Sequence, residues 1–327
     1  MSRPVGIAGF GHFVPKRVIP NEYFTRFVET SDEWIVQRTG IKERRWLEDG
    51  EKPSEMFAAA AIKAMDRSGV KPEEIDLIIL GTVSGDMFLP ATACIVQNLL
   101  GCVNASAFDI SAACPGFLYS LIIGQQFISS GQCNNVLCIG GEALSRIIDI
   151  HDRNSCVIFG DGAGACVLQP HDICQQGLID DVYMGADGSG WDFIHRPRGG
   201  AAERMSPEIL TEGSHLIRLK GKEVYRFAVA KMEEIIAWAS EGIDPDDICL
   251  VIPHQVNRRI LETATAKIGI DPDKVLINIE RYGNTSAASI PILMSEAQSA
   301  NRFKKGKYLI LAAFGAGLVW AGARVKW

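Results

Sequence analysis

Residues 71–82 read Lys-Pro-Glu-Glu-Ile-Asp-Leu-Ile-Ile-Leu-Gly-Thr, and residues 244–255 read Asp-Pro-Asp-Asp-Ile-Cys-Leu-Val-Ile-Pro-His-Gln. In both stretches a proline and two acidic residues precede isoleucine and an apolar run, which is typical of a turn that enters a buried strand. Apolar residues at helical spacing precede each stretch and predict amphipathic helices near residues 54–68 and 223–240. One helix–turn–strand unit is therefore repeated along the chain.

The repeat continues downstream of both strands. Residues 108–114 precede a predicted apolar helix and then a strand from Asn135, and residues 277–284 precede a small-residue helix and then a strand from Lys307. Two unrelated α/β units would share some of this order, but agreement over several elements favours duplication. We predict an α/β fold of two similar halves, residues 1–175 and 176–327, with the irregular segment 185–215 as a surface flap.

The composition restricts the class of protein. The chain has 327 residues, of which 47% are hydrophobic and 22% charged, so it can bury a large core, and no apolar run is long enough to span a bilayer. The net charge of −6 argues against nucleic acid as a partner. Nine cysteines without a C-x-x-C pair indicate packing residues in a reducing, cytoplasmic location and predict no metal site.

Cys114 differs from the other eight cysteines in its position. It precedes Pro115 and the apolar segment 115–130, and Gly131 follows that segment, so Cys114 is predicted at or next to the N-cap of a buried helix. The partial positive charge of a helix N-terminus stabilises a thiolate, which is the nucleophilic form of cysteine. An inert core thiol is the alternative interpretation.

Three other segments also contain candidate active-site residues. His254 ends the strand 250–253, where active sites of α/β folds gather, although a structural histidine would also fit. Asn284 lies in the turn that matches the Cys114 turn, although asparagine is common in turns. If a pseudo-twofold axis relates the halves, these residues converge as a nucleophile and two hydrogen-bond donors for a carbonyl. The turn 314–317, Phe-Gly-Ala-Gly, offers backbone N–H groups to an oxyanion, or is a plain strand-end turn.

Seven short motifs together resemble the β-ketoacyl-acyl-carrier-protein synthase III family of the thiolase superfamily. The resemblance runs from about residue 5 to 327, and the combination is far more specific than any single motif. The motifs are Asp32-Glu-Trp-Ile35, Arg38-Thr-Gly-Ile41, Ala113-Cys114-Pro-Gly-Phe, Phe159-Gly-Asp-Gly-Ala-Gly164, Pro253-His-Gln255, Tyr282-Gly-Asn-Thr-Ser286 and Phe314-Gly-Ala-Gly317.

The resemblance implies a five-layered αβαβα thiolase-like fold, a homodimer, and a reaction that needs no cofactor beyond its coenzyme A thioester substrate. Cys114 would take an acyl group from acyl-CoA and condense it with malonyl-acyl-carrier protein, with loss of carbon dioxide, to initiate fatty-acid synthesis. Backbone N–H groups of Cys114 and Ala316 would bind the oxyanion, while His254 and Asn284 would donate to the malonyl thioester carbonyl.

The resemblance also implies contacts with the acyl donor. Trp34 and Arg153 match positions that sandwich the adenine of coenzyme A, and Arg38 matches a position near its phosphates. Flat aromatic and guanidinium groups stack well on bases, although without the resemblance these would be a core aromatic and surface charges. Leu89 falls where some family members place a bulky aromatic residue that reaches into the acyl pocket of the partner subunit, and Phe88 beside it could fill the same space.

A basic region matches the surface that meets the acidic carrier protein in the family. Arg259, Arg226 and Gln255 are the implied contacts, and Arg218, Lys220 and Lys222 extend the region. Composition alone would make this a solvated helix face. A chain of net charge −6 needs such a local basic patch to bind an acidic partner.

Two other functions fit parts of the pattern. A papain-like hydrolase uses Cys, His and Asn in this order, but residues 113–117 are not its motif and the repeat would be unexplained. A condensing enzyme or acyltransferase of a secondary-metabolite pathway would keep the three residues and change only the pocket and the acceptor. The segment 190–213 looks longer than is typical of the family, which leaves the acceptor open.

Overall fold

In the computed structural model, which describes residues 3–327, two β-sheets carry the fold. The strands are β1 (Val5–Phe13), β2 (Arg17–Pro20), β3 (Glu43–Trp46), β4 (Leu77–Gly81), β5 (Ser106–Ile110), β6 (Val136–Ala143), β7 (Asp161–Pro170), β8 (Leu178–Ala186), β9 (Ile194–His195), β10 (Arg218–Leu219), β11 (Ile248–Pro253), β12 (Tyr308–Gly315) and β13 (Val319–Lys326). The α-helices are α1 (Asp32–Thr39), α2 (Pro53–Ser68), α3 (Thr92–Leu100), α4 (Gly116–Ser129), α5 (His171–Cys174), α6 (Pro207–Glu212), α7 (Gly221–Ser240), α8 (Arg258–Lys267), α9 (Ile279–Tyr282) and α10 (Ser289–Ser299).

The two sheets share one strand order and direction. In the first, β1-β7-β6-β4-β5, the first three strands are antiparallel neighbours and the last three are parallel. In the second, β8-β13-β12-β11, the first three are again antiparallel, and β12 and β11 are parallel. A parallel bridge between Val251 and Val275 stands where the first sheet has β5. The repeat in the sequence thus corresponds to one topology built twice, and the predicted boundary at residues 175–176 falls between α5 and β8.

The sheets and helices stack in five layers. Helices α2 and α3 cover the outer face of the first sheet, through an apolar cluster that includes Phe57 and Val96. Helices α4 and α10 lie between the sheets, where Phe117, Leu121 and Leu293 share one cluster with strands of both. Helices α7 and α8 cover the outer face of the second sheet. The predicted five-layered αβαβα fold is confirmed, and no helix within residues 3–327 is long and apolar enough to cross a membrane.

Local signals explain where the major helices begin and end. Helix α2 has a proline at its first position and Gly69 just beyond its end with φ of 72°, which is the left-handed conformation that glycine adopts readily. The observed helices α2 and α7 agree within two residues with the helices predicted at 54–68 and 223–240. The strongest apolar patterns therefore predicted the elements that frame the sheets.

The segment predicted as an irregular flap contains regular structure. Strand β9 pairs antiparallel with β10, and α6 lies between them, with the Ser206 hydroxyl accepting from the Ile209 N–H at its N-terminus. Ile194 and Leu219 pack against a buried cluster that includes Ile147. The flap is thus anchored to the body of the protein by apolar contacts beside the cavity described next.

Candidate active site

A cavity of about 490 Å³ is lined by residues from both halves of the chain. Its walls include seven of the residues singled out from the sequence, namely Trp34, Arg38, Cys114, Arg153, His254, Asn284 and Ala316. Residues that are remote along the chain therefore meet at one site, as the matching turns predicted. Five candidates lie outside the cavity wall and are described below.

Cys114 lies in the turn between β5 and α4. Pro115 is the N-cap residue, so the cysteine stands one position before the cap, close to where the sequence placed it. The preceding Ala113 has φ of 45°, a left-handed conformation that costs energy for a residue with a side chain and is common beside functional groups. Helix α4 packs tightly here, since a Cβ atom on Gly81 of β4 would lie 2.4 Å from the carbonyl carbon of Gly116. Small residues thus bring the start of α4 against the sheet.

Burial opposes ionisation of the Cys114 thiol. Burial raises its pKa to about 12 and outweighs the hydrogen bond that the Ser286 hydroxyl donates to Sγ at 3.4 Å. Position at a helix start predicts a stabilised thiolate, and burial acts in the opposite direction. A proton acceptor in the site would favour ionisation of Cys114.

His254 follows β11 directly, and its backbone N–H donates to the Ala312 carbonyl of β12. Its Nδ1 lies 2.8 Å from Ser289 Oγ, and its ring packs edge-on against Phe314 with 6.0 Å between ring centroids. Burial lowers the pKa of His254 to about 3, so the ring is neutral near neutral pH. Within the described residues Nε2 has no hydrogen-bond partner. This nitrogen is the one that a substrate in the cavity would meet.

Asn284 is held by the loop that leads into β7. Its N–H donates to Ile158 O at 2.9 Å, and its carbonyl accepts from Gly160 N at 3.0 Å. Its side-chain oxygen accepts from the Ser286 N–H at 2.8 Å. Because the carbonyl end of the amide is used in this way, the NH₂ end is the one available to donate. The first half of the chain thus orients an asparagine of the second half.

The turn after β12 approaches Cys114 closely. A Cβ atom on Gly315 would lie 3.0 Å from both the N and Cβ atoms of Cys114 and 2.8 Å from Cδ of Pro115. Such distances exclude a side chain at this position without displacement of the turn. Ala316, next in the chain, lines the cavity together with Cys114.

We expect Gly315→Ala to slow acyl transfer to Cys114 by on the order of 10²-fold if Ala316 is the predicted oxyanion donor, because the added methyl group would push the turn at Ala316 away from Cys114. The rate of adduct formation, followed by mass spectrometry, measures the effect. Gly188→Ala is the matched control, since a Cβ atom there meets no other atom within 4 Å. Equal rates for the two variants would contradict the placement of the oxyanion turn.

Trp34, Arg153 and Arg38 form a stack at the cavity wall. The guanidinium carbon of Arg153 lies 4.9 Å from the Trp34 ring centroid, and that of Arg38 lies 5.5 Å from it. Arg153 also donates to the Glu29 carbonyl at 2.9 Å. A flat base can therefore enter between Trp34 and Arg153 only after the arginine swings away from the ring.

The candidate carrier-protein contacts divide into two groups. Arg226 and Arg259 are exposed on α7 and α8, which pack against each other. Gln255 is only 1% exposed, and its amide bonds to Pro253 O at 2.9 Å, to Leu276 O at 3.2 Å and to the Asn278 N–H at 3.0 Å. Gln255 therefore holds the loop that leads towards Asn284, and a direct contact with a carrier protein does not fit its burial. The ion pairs Arg218–Asp149 and Lys220–Asp192 likewise engage part of the extended basic stretch.

Phe88 and Leu89 lie outside this cavity on the protein surface. Their exposed fractions are 89% and 85%, which is unusual for large apolar side chains. They do not line the cavity of their own chain, and their role in a partner subunit stays a prediction.

Three polar residues of the site escaped the sequence analysis. Ser289 bonds to His254, Ser286 contacts Cys114, and Glu142 of β6 is completely buried beside Ser286. A glutamate within an otherwise apolar strand was the available signal for Glu142. Ser286 stands two residues after Asn284 with φ of 50°, and its place at the end of the motif Tyr282-Gly-Asn-Thr-Ser286 was the signal that could have found it.

Known proteins resemble this chain over its full length. Residues 108–188 match the family model described as 3-oxoacyl-[acyl-carrier-protein (ACP)] synthase III, and residues 238–327 match its C-terminal model. The β-ketoacyl-[acyl-carrier-protein] synthase III of Symbiobacterium thermophilum is 46% identical over 328 residues, covering 99% of this chain and 98% of that protein. The crystal structure of 3-oxoacyl-[acyl-carrier-protein] synthase III from Aquifex aeolicus VF5 has a TM-score of 0.91 and 42% identity, covering 99% of this chain and 100% of that one. The priming β-ketosynthase of the R1128 polyketide pathway has a TM-score of 0.91 and 32% identity, covering 99% and 97%.

Proposed function

Since the chain belongs to the 3-oxoacyl-[acyl-carrier-protein] synthase III family, whose members are condensing acyltransferases that initiate fatty-acid synthesis, we propose that Cys114 carries the acyl group between two half-reactions. The observation that supports this most is the meeting of Cys114, His254 and Asn284 in one cavity with the turn at Ala316. A nucleophile, two donors and an oxyanion turn are the groups that thioester condensation requires.

In the first half-reaction the sulfur of Cys114 attacks the carbonyl carbon of acyl-CoA. The carbonyl oxygen becomes an oxyanion, to which the backbone N–H groups of Cys114 and Ala316 donate. Collapse breaks the bond between that carbon and the coenzyme A sulfur, which leaves as a thiol after taking a proton. Trp34, Arg38 and Arg153 hold the adenosine end of coenzyme A, because one indole face and two cations lie together at the cavity wall.

In the second half-reaction malonyl-acyl-carrier protein occupies the space that coenzyme A has left. His254 Nε2 and Asn284 Nδ2 donate to the thioester carbonyl, whose oxygen gains negative charge as the carboxylate departs as carbon dioxide. The enolate carbon then attacks the acyl group on Cys114, and the sulfur leaves and is protonated. Neutral His254 suits this role, since its pKa of about 3 keeps it uncharged and able to donate without titrating.

The acidic carrier protein docks on the exposed arginines Arg226 and Arg259, beside the cavity wall that Val224 and Ile260 line from the same helices. Gln255 takes no part in this contact because it is buried. The cysteines are all free thiols, which supports a reducing cytoplasmic location.

A homodimer is supported by one edge of the first sheet. Within residues 3–327, β5 pairs only with β4, so its outer backbone groups are available to a second copy. The neighbouring Phe88, Leu89 and Val103 are 89%, 85% and 75% exposed. An open strand edge beside large exposed apolar side chains favours association through this face, with Phe88 and Leu89 entering the partner's acyl pocket.

We expect the double substitution Phe88→Asp with Leu89→Asp to shift the protein from dimer to monomer, because two charges would be buried without partners. Sedimentation velocity over a range of protein concentrations measures the shift. Ile173→Asp is the control, since it places the same charge on an apolar side chain that is 57% exposed elsewhere. An unchanged dimer would remove these residues from the interface.

The proposed function is tested by intact-mass analysis of the protein mixed with a panel of acyl-CoA esters. A stable mass increase equal to the acyl group is expected, and malonyl-acyl-carrier protein should discharge it as a β-ketoacyl product. Absence of an adduct with every donor would contradict the role of Cys114. Discharge by water alone would instead identify a hydrolase.

Priming of a dedicated pathway is a second candidate, favoured by the full-length similarity to the R1128 priming β-ketosynthase. The same acyl-protein, offered the carrier protein of fatty-acid synthesis and a pathway-specific carrier protein in competition, distinguishes the two. We expect the fatty-acid carrier protein to be used in preference.

A further inference from the structure

Glu142 is a buried carboxyl group with an unusual set of partners. It is 0% exposed on β6 and accepts from the Val83 N–H at 3.1 Å and from the hydroxyl groups of Thr82 and Ser84. None of the salt bridges formed among residues 3–327 includes it. A carboxyl group that is buried without a cation is costly to ionise, so its retention at this position calls for a reason.

Ser286 connects this carboxyl group to the nucleophile. Its Oγ lies 3.4 Å from Cys114 Sγ on one side and 3.4 Å from Glu142 Oε1 on the other. The hydroxyl has one proton, so it donates either to Sγ or to Glu142, and when it donates to Glu142 its oxygen can accept from the thiol. The backbone of Ser286 is held in a left-handed conformation, with φ of 50°, by the bond from its N–H to the Asn284 side chain. An O–H···O bond is usually about 2.8 Å long, and catalytic hydrogen bonds commonly tighten when substrate binds.

We propose that Ser286 and Glu142 form a proton relay that takes the proton from the Cys114 thiol during acylation. Ser286 touches the reacting sulfur, and Glu142 acts through it as a positioning residue. This inference rests on the proposed role of Cys114 as acyl acceptor.

The bonds and protons of the relay balance over the acylation half-reaction. The thiol proton of Cys114 passes to Ser286 Oγ as the Ser286 hydroxyl proton passes to Glu142, whose carboxylate becomes a carboxylic acid. The sulfur forms its bond to the acyl carbon, and the carbon–sulfur bond of the acyl-CoA breaks. The departing thiolate then recovers the proton from Ser286 as Glu142 returns its own, so that coenzyme A leaves as a thiol and Glu142 is again a carboxylate.

The groups around the relay leave few other proton acceptors. His254 is a poor base because burial lowers its pKa to about 3, whereas burial raises the pKa of Glu142 to about 7. The groups that face Glu142 are N–H and hydroxyl groups of residues 82–84 and Ser286, with the Cys114 thiol as its titratable neighbour. Asp161 is another buried carboxyl group, on the neighbouring strand. It accepts hydrogen bonds from Leu47 and Ser145 and not from Ser286 or Cys114.

The test follows single-turnover acylation of Cys114 by acetyl-CoA, quenched and read by mass, from about pH 5.5 to pH 10. The wild-type rate should rise with pH through an inflection near the Glu142 pKa of about 7, because the carboxylate is the proton acceptor. E142Q and S286A should each lose that inflection and react roughly 10²-fold more slowly at pH 7.5. The deficit should shrink towards pH 10, where hydroxide takes the thiol proton directly, and the double variant should react no more slowly than either single one.

Asp161→Asn is the matched control, since it neutralises a buried carboxyl group of the next strand and should keep the inflection. S286A leaves the bonds of Glu142 to residues 82–84 in place, so it tests the relay even where E142Q does not fold. A wild-type pH profile in E142Q or in S286A would overturn the relay. A wild-type protein that forms no adduct would overturn Cys114 as acyl acceptor, which is a different result.

Discussion

Cys114→Ala is expected to abolish acyl transfer, with a loss on the order of 10⁶-fold in the overall rate, because the acyl group has no covalent carrier. No acyl adduct should appear on this variant in intact-mass spectra with any acyl-CoA. His254 and Asn284 remain in place, so the variant should still decarboxylate malonyl-acyl-carrier protein without joining two acyl groups. Carbon dioxide release measured beside product formation separates the two half-reactions.

A second cysteine on the same segment supplies the control for this experiment. Cys133 follows the opposite end of α4 and is 8% exposed, so Cys133→Ala removes a buried thiol without touching the cavity. We expect its adduct formation to match the wild type. Adduct formation on Cys114→Ala would transfer the nucleophile to another residue and contradict the site as a whole.

His254→Ala is expected to cause the second largest loss of rate. The loss should fall on condensation with malonyl-acyl-carrier protein and not on acylation of Cys114. Loss of one donor to the developing enolate should lower the condensation rate by roughly 10²–10³-fold, while acylation of Cys114 stays within a few-fold of the wild type. Because His254 has a pKa of about 3, the neutral ring predominates above that value, so its contribution should not vary with pH between about 5 and 9. Pre-acylated protein mixed with malonyl-acyl-carrier protein isolates this step.

Ser289→Ala tests whether the orientation of the ring matters. It removes the hydroxyl 2.8 Å from Nδ1 and leaves the Nε2 donor in place, so a smaller loss than for His254→Ala is expected. The ring is buried, and thermal unfolding of both variants checks that the fold persists. Equal loss of acylation and condensation in His254→Ala would show that His254 serves both steps.

Much of this site was predictable because its main groups stand beside local signals. Cys114 precedes a proline and an apolar segment, and His254 ends a strand that repeats an earlier one, so both positions follow from patterns a few residues long. Their meeting with Asn284 follows from the repeat, because two copies of one topology bring equivalent turns to the same place. Gln255 was predicted to contact the carrier protein, but it is as buried as its neighbour His254, and no local pattern distinguishes a buried glutamine from an exposed one.

The ionisation of the Cys114 thiol could not be predicted from local sequence patterns in the same way. The sequence predicts that Cys114 stands near a helix start, and a helix start favours a thiolate. Whether the thiol ionises depends on how much water reaches it, and that depends on His254, Ser286 and the turn at Gly315, which all arrive from the other half. Burial favours the protonated thiol.

The sequence by itself determined that the chain builds one α/β unit twice and places Cys114, His254 and Asn284 at the ends of matching elements. The spacing of apolar residues and the choice of turn residues act over a few positions, so both can be recognised in the sequence alone. Only the tertiary structure decided that Ser286 lies between Glu142 and Cys114, that Gln255 is buried, and that burial raises the pKa of Cys114. These properties depend on solvent access and on distances between residues more than a hundred positions apart, and no local pattern encodes either.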